Sequence, residues 1–232
     1  MQIGDPIGEG WSLYKRFWRH LVPLAFVTYV IVSLVALLFA LIGGVLGAVA
    51  AVIVSVAGVF LLQAALVEAV ADVRDGRADL SIAQTLGRVW PRLGAVVATS
   101  LLAAVAIALG FIALVVPGLY LVTIWSVIIP ALVLEKLGVM DSFGRSRSLV
   151  SGYGWTVFGV IVVTVVIQFA ASIVLSAILS GLSREVAQYI SNVAVNAVVA
   201  PFVAATWTAM YFRLRALHEP QAVPSGAAYS ET

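Results

Sequence analysis

Few side chains in the long apolar runs of this sequence could do chemistry, and most of those are neutral amides and hydroxyls. Asn192 and Asn196 lie four residues apart, which places them on one face of a helix. Together with Gln168 they could line a polar path for a neutral or lipidic solute. Hydrogen bonds between neighbouring helices explain the same residues with fewer assumptions. Helix packing is therefore the preferred interpretation, and the polar path is the alternative.

Charged groups that could couple ions or catalyse a reaction do not occur at mid-depth in any of the apolar spans that the sequence predicts. Glu68 comes nearest, and Asp72 follows one turn later, which indicates a helix end where water or an arginine neutralises the carboxylate. His20 and His218 are the only histidines, and neither has neighbours at metal-ligand spacing. The chain also lacks cysteine and any glycine-rich phosphate-binding motif. These features predict a non-catalytic protein without a metal or cofactor.

The composition is that of a membrane protein. Of the 232 residues, 62% are hydrophobic and only 10% are charged, and the mean hydropathy is +1.11. The uncharged runs far exceed the roughly 18 residues that mark a membrane span, and they lack the alternation of a membrane barrel. The net charge of +2 gives no basic face for nucleic acid. The sequence therefore predicts an all-α, polytopic membrane protein.

Each apolar run is too long for a single span. The run over residues 93–134 would extend roughly 63 Å as one helix, about twice the hydrocarbon thickness of a bilayer. Residues that break helices lie near the middle of the runs, at Gly43-Gly44, Pro117-Gly118 and residues 181–185. We therefore expect three hairpins in one domain over residues 1–215, followed by a disordered cytoplasmic tail over residues 216–232. The six predicted spans are 21–42, 47–70, 93–115, 118–135, 156–180 and 187–212.

The basic residues support this number of spans. Six spans place all but one of the 13 lysines and arginines on the same side of the membrane, with Arg184 on the other. Basic residues prefer the cytoplasmic side, so both termini and both long loops are predicted to be cytoplasmic. A single helix passing through Pro117 would abolish this bias.

A short stretch that closes with tryptophan precedes each predicted hairpin, at Trp18, Trp90 and Trp155. These stretches predict three interfacial amphipathic helices, in which tryptophan and arginine lie at the lipid headgroups. Simple anchoring is preferred over specific recognition of anionic lipids, because nearby aspartates offset much of the positive charge. The predicted lipid-contact residues are Trp11, Lys15, Arg16, Trp18, Arg19, Arg88, Trp90, Arg92, Arg145, Arg147 and Trp155.

Two blocks of sequence carry a family resemblance, residues 117–163 (PGLYLVTIWSVIIPALVLEKLGVMDSFGRSRSLVSGYGWTVFGVIVV) and residues 207–217 (WTAMYFRLRAL). The chain resembles bacterial integral membrane proteins that include the membrane domain of glycerophosphoryl diester phosphodiesterases and related stand-alone proteins of unknown function. The resemblance implies a six-span module of the bacterial inner membrane. It implies no activity, because the phosphodiesterase chemistry belongs to a separate soluble domain. The residues that carry it are Pro117, Gly118, Pro130, Glu135, Ser146, Leu149, Gly152, Trp155, Tyr211, Arg213 and Arg215.

The functional expectation combines these observations. The chain is expected to be a non-catalytic integral membrane protein that interacts with membrane lipids or with a partner membrane protein. The alternative is a transporter or channel for a neutral or lipidic solute.

Overall fold

The protein is built of helices throughout the part that its structure describes. The computed structural model describes residues 1–74, 79–179, 181 and 184–219, and gives only the backbone for residues 184–192, 194 and 196. A single 3₁₀ turn, Trp90–Arg92, joins two of the helices. The helices are α1 (Gly4–Ile42), α2 (Gly44–Val73), α3 (Ile82–Val89), α4 (Leu93–Ala113), α5 (Val115–Ile124), α6 (Ile128–Leu134), α7 (Val139–Val150), α8 (Gly154–Ile178) and α9 (Arg184–His218).

Among the described residues, six helical segments are long and apolar enough to cross a membrane, which confirms the all-α prediction and the expected number of span-length helices. Their outer surfaces are covered by large apolar side chains, such as Leu46 (85% exposed) and Ile112 (80% exposed). A soluble monomer does not expose an apolar surface of this extent. The fold is therefore that of an integral membrane protein. The six segments are Gly4–Ile42, Gly44–Val73, Ile82–Ala113, Val115–Leu134, Gly154–Ile178 and Ala197–His218.

The first of these segments contains both the predicted amino-terminal interfacial helix and the predicted first span. Helix α1 begins at Gly4 and continues through Pro23 to Ile42, with a local departure from helical geometry at Phe17 (φ −117°, ψ 18°). Pro23 removes only one backbone hydrogen bond, and neighbouring helices can support such a helix. The predicted amino-terminal helix and first span are therefore one bent helix.

The helix breaks lie close to two of the predicted reversals. Gly43 and Gly44 separate α1 from α2 with positive φ angles of 80° and 67°, which glycine adopts without strain. The second break is at Leu114, whose backbone is extended, and not at Pro117. Pro117 lies in the first turn of α5, where its missing N–H would have no helical partner anyway. At the third predicted reversal, residues 180, 182 and 183 lie outside the described residues.

The fourth predicted span, 118–135, consists of two helices. Helix α5 ends at Ile124 and α6 begins at Ile128, so the chain turns just before Pro130. Pro130 has no N–H to donate to the residue four places earlier, Ser126, which weakens the helix at this turn. The hydroxyl of Ser146 on α7 donates to the carbonyl of Ile124 at 2.8 Å. This bond satisfies a carbonyl at the end of α5 and attaches α7 to the break.

The best-packed part of the molecule lies around the first half of α1, the last half of α2 and the last half of α9. One core cluster joins α1, α2 and α9, and a second joins the end of α9 to α6, α7 and α8. Because both clusters lie beside helix ends, they fix the positions of the charged residues there. The first includes Leu21, Leu24, Leu66, Val70 and Ala205, and the second includes Val127, Leu149, Val157, Met210, Tyr211 and Leu214.

The end of α9 extends beyond the predicted sixth span, 187–212. Residues 216–218, which the sequence analysis assigns to a disordered tail, belong to this helix. Glu219 follows and pairs with Arg145 and Arg215, which holds the chain against the bundle. The rest of the predicted tail, residues 220–232, lies outside the described residues.

Candidate functional site

Ion pairs join residues that lie far apart in the sequence but come together at the helix ends. We refer to the residues in these pairs as the charged layer. It has three clusters, centred on the carboxylates of Glu9, Glu68 and Glu135. The charged layer comprises Asp5, Glu9, Glu68, Arg74, Arg88, Glu135, Arg145, Arg213, Arg215 and Glu219.

The cluster around Glu135 is the least exposed of the three. Glu135 Oε1 accepts hydrogen bonds from the hydroxyl of Tyr211 at 2.7 Å and from Nε of Arg145 at 2.9 Å. Only 15% of the Glu135 side chain and 22% of the Arg145 side chain are exposed, and Tyr211 is fully buried. A carboxylate with this much burial requires such donors to remain charged. These hydrogen bonds therefore hold α7 and α9 against the end of α6.

Arg145 extends this cluster outward to Glu219. Its guanidinium also binds the carboxylate of Glu219, which accepts a second bond from Nε of Arg215 at 3.0 Å. The pKa of Arg145 is raised above its usual range, mainly by the hydrogen bond to Glu135. The pKa of Glu219 is lowered by the hydrogen bonds from Arg215 and Arg145. Glu219 therefore stays ionised, and keeps both arginines as partners, at a pH where a free glutamate begins to take up a proton.

The second cluster ties the start of α1 to the ends of α2 and α9. Nε of Arg213 donates to Glu9 Oε2 at 2.7 Å, and the same arginine lies 3.6 Å from Asp5 Oδ2. Nε of Arg74 lies 3.6 Å from Glu9 Oε1, and its guanidinium stands 4.0 Å from the centre of the Phe212 ring. A glutamate at the first turns of one helix thus binds arginines at the last turns of two others.

The third cluster confirms the interpretation of Glu68 as an arginine-paired carboxylate at a helix end. Arg88 on α3 lies 3.3 Å from Glu68 Oε1, and Asp72 Oδ2 accepts a hydrogen bond from the backbone N–H of Leu80 at 3.0 Å. Beside them is an open pocket of about 740 Å³. Its lining residues are Glu68, Ala71, Asp72, Arg88, Pro91, Arg92, Val133, Leu134 and Lys136.

Most of the predicted lipid-contact residues lie on the surface next to the charged layer. The four tryptophans among them are exposed, and Trp90 (66%) and Trp155 (87%) are the most exposed. On α1, the Lys15 ammonium lies 5.5 Å from the Trp11 ring, and the guanidinium of Arg19 lies 5.7 Å from the Trp18 ring. These cation–π pairs combine an apolar ring with a charged tip, which suits a membrane interface.

The remaining predicted contact residues divide into two groups. Arg16, Arg88 and Arg147 are exposed, whereas Arg92 and Arg145 are partly buried. Arg145 contacts two carboxylates, which neutralise its positive charge within the protein. Its partner Glu135 is not among the predicted site residues, although Glu135 and Tyr211 both occur in the two blocks that carry the family resemblance.

An apolar groove of about 710 Å³ lies between α5 and the start of α8. Trp155 stands at its edge and packs against Phe158, with the ring centroids 6.2 Å apart. Tyr120 and Tyr153 provide further aromatic surface in the groove. A groove with this lining can hold a hydrocarbon chain.

The alternative polar path is not assembled by the described residues. The side chain of Gln168 is exposed on α8, where the Ser172 hydroxyl donates to the Gln168 carbonyl at 2.9 Å. The side chains of Asn192 and Asn196 lie outside the described part of the chain. The path therefore stays a prediction. Among the described residues, no three histidines or carboxylates come together as a metal site would require.

The fold and the charged layer define a class, a helical membrane protein whose polar groups gather at the helix ends. No protein-family model, curated protein or solved structure matches the chain.

Proposed function

We propose that the chain is a non-catalytic integral membrane protein of the bacterial inner membrane, which contacts lipids or a partner membrane protein at its charged layer. The ion pairs carry the proposal, because they place charged ends from α1, α2, α3, α7 and α9 beside one another. The exposed tryptophans and cations adjoin these ends. Apolar spans that are bordered at one end by aromatic and charged residues are typical of a protein at a membrane interface.

The same ion pairs support the three-hairpin topology with a cytoplasmic charged layer. The start of α1 meets the ends of α2 and α9, as expected if each hairpin returns the chain to the side on which it began. Both termini and the loops that contain α3 and α7 then share the basic side, which the positive-inside rule assigns to the cytoplasm.

The short helices before the odd-numbered spans are proposed to lie at the interface. Helix α3 begins with a capping box in which Ser81 and Gln84 satisfy each other's backbone N–H groups. Thr85 and Val89 face the protein, and Arg88 remains exposed. A helix with these two faces suits the headgroup region.

The resemblance to the membrane domain of glycerophosphoryl diester phosphodiesterases and related stand-alone proteins is retained as a proposal. The contact of Glu135 with Tyr211 supports it, because the two blocks that carry the resemblance meet at this contact. The transporter alternative gains no comparable support from the described residues.

Tryptophan quenching tests the lipid contact. In single-tryptophan variants reconstituted with brominated lipids, we expect Trp90 to be quenched more by bromine near the headgroup than by bromine near the bilayer centre. Its indole is exposed beside Arg88 and Arg92 at the helix ends, where tryptophan prefers to lie. Trp207 is the control, because its ring is partly buried and its Nε1 lies 3.3 Å from the Thr164 hydroxyl. Equal quenching of both residues at every depth contradicts the proposed interface.

Cysteine labelling tests the topology, since the chain has no native cysteine. In intact spheroplasts, a membrane-impermeant maleimide should label Gly181→Cys but neither Gly8→Cys nor Met140→Cys. All three positions are exposed, so access depends on the side of the membrane. After the membrane is opened, Gly8→Cys and Met140→Cys should also react. Labelling of Met140→Cys from outside would disprove the cytoplasmic placement.

A further inference from the structure

We propose that the pocket beside Glu68 binds a phosphate group, the chemistry shared by anionic lipid headgroups and soluble phosphate esters. The inference deepens the proposed function and rests on it, because a lipid can reach the pocket only if the charged layer borders the membrane. The pocket lies between the end of α2, the Trp90–Arg92 turn and the end of α6.

The charges in the pocket favour an anion. Among the described lining residues, Arg88, Arg92 and Lys136 stand beside two acids, which leaves one net positive charge. Both acids already have partners, since Glu68 pairs with Arg88 and Asp72 accepts the N–H of Leu80. Within the described ranges, Arg92 and Lys136 form no ion pair, so their donors remain for a ligand. Arginine and lysine together are a common pair for phosphate oxygens.

Lys136 has an unusual backbone. Its φ of 56° places it in the left-handed region, where it is the only residue other than glycine within the described chain. This conformation is strained for a residue with a Cβ, and glycine adopts it freely. A lysine at this turn is therefore a poor choice for stability alone. Strained positions cluster at binding sites, and here the strained residue lines the pocket.

The rest of the wall suits a ligand with an apolar part. Ala71, Pro91, Val133 and Leu134 also line the pocket beside the charged groups. Trp90 lies next to Pro91 and is exposed. A phospholipid could place its phosphate against the cations and its glycerol and acyl groups along this apolar wall, whereas inorganic phosphate would use only the cations.

Binding by the full-length chain in an uncharged detergent tests the proposal. We expect saturable binding of dioctanoyl phosphatidic acid by isothermal titration calorimetry, and none of dioctanoylglycerol, which lacks the phosphate. The double variant Arg92→Gln, Lys136→Gln should weaken binding by roughly tenfold or more, since each cation contributes on the order of 1 kcal/mol. Binding of dioctanoylglycerol as tight as that of phosphatidic acid would overturn the proposal, and so would unchanged binding by the double variant.

Inorganic phosphate distinguishes the two ligand sources. If it binds at least as tightly as phosphatidic acid, the site takes a soluble phosphate. If phosphatidic acid binds much more tightly, the apolar wall contributes and the ligand is a lipid. Either result supports a phosphate site, and failure of both ligands to bind refutes it.

Lys136→Gly separates binding from folding. Because glycine relieves the backbone strain, this variant should unfold at the same temperature or higher, yet bind phosphatidic acid more weakly. Arg74→Gln is the matched control, since it also removes one positive charge, but Arg74 contacts Glu9 and Phe212 outside the pocket. If Arg74→Gln weakens the binding of phosphatidic acid to the same extent, the loss of affinity comes from the change in net charge, and the assigned site is wrong. If the phosphate site fails while Trp90 is still quenched by brominated lipid, the proposed function stands without it.

Discussion

Replacing Gly10 with alanine is expected to destabilise the protein more than any other single methyl group added to α1. A Cβ at this position would lie 2.5 Å from Oγ1 of Thr206 and 2.7 Å from its Cα and backbone N. Backbone atoms cannot rotate away, so α1 and α9 must separate. Overpacking of this kind typically costs about 1–3 kcal/mol, and contact with backbone places this case near the upper limit. Thermal unfolding in detergent, followed by circular dichroism, measures the loss.

Gly8→Ala is the matched control for Gly10→Ala. Gly8 lies two residues earlier on the same helix, and a Cβ there meets nothing within 4 Å. Alanine favours the helix over glycine by about 1 kcal/mol, so Gly8→Ala should leave stability unchanged or raise it slightly. If Gly8→Ala and Gly10→Ala unfold at the same temperature, α1 and α9 do not cross closely at Thr206.

Replacing Glu135 with alanine should cause the second large loss of stability. The buried Tyr211 hydroxyl would lose its acceptor, and Arg145 would keep only one of its two carboxylate partners, Glu219. Removing one partner of a buried ion pair costs about 3–5 kcal/mol, and the partial exposure here reduces the expected loss to about 2–3 kcal/mol. Chemical or thermal unfolding in detergent provides the measurement.

Two further variants test whether the loss of stability in Glu135→Ala comes from the buried cluster. Glu68→Ala removes a carboxylate from a pair whose arginine is 57% exposed, so its loss should be below about 1 kcal/mol. The double variant Glu135→Ala, Tyr211→Phe should lose less than the sum of the two single variants, because both remove the same hydrogen bond. A Glu135→Ala loss no larger than that of Glu68→Ala would contradict the buried cluster.

The candidate site was only partly accessible from the sequence. Tryptophan and arginine near helix ends favour a membrane interface, and Trp90, Trp155 and Arg88, which are predicted to contact lipid, are exposed in the structure. Arg145 was selected by the same rule, although its guanidinium faces two carboxylates. Only the resemblance drew attention to Glu135 and Tyr211, and it gave no reason to join them. Lys136 was missed, because backbone strain cannot be read from residue type.

The sequence by itself determined the class of the fold. Apolar runs longer than one bilayer crossing must break, and backbone groups in lipid must bond within their own helix, so six helices follow from composition and length. The same local reasoning located the break at Gly43. It placed the next break at Pro117-Gly118, because this helix-breaking pair lies near the midpoint of a run twice as long as one bilayer crossing. The chain instead breaks at Leu114, and Pro117 lies in the first turn of α5.

Only the tertiary structure decided which side chains meet. Glu9 binds Arg213 across 204 positions of the chain, and Tyr211 reaches Glu135 across 76. Such pairs depend on how whole helices pack, and packing is set by small residues such as Gly10 against the backbone of α9. Hydropathy and charge are properties of single residues and short segments. The contacts that form the charged layer and its pocket are properties of pairs of helices, which no local pattern specifies.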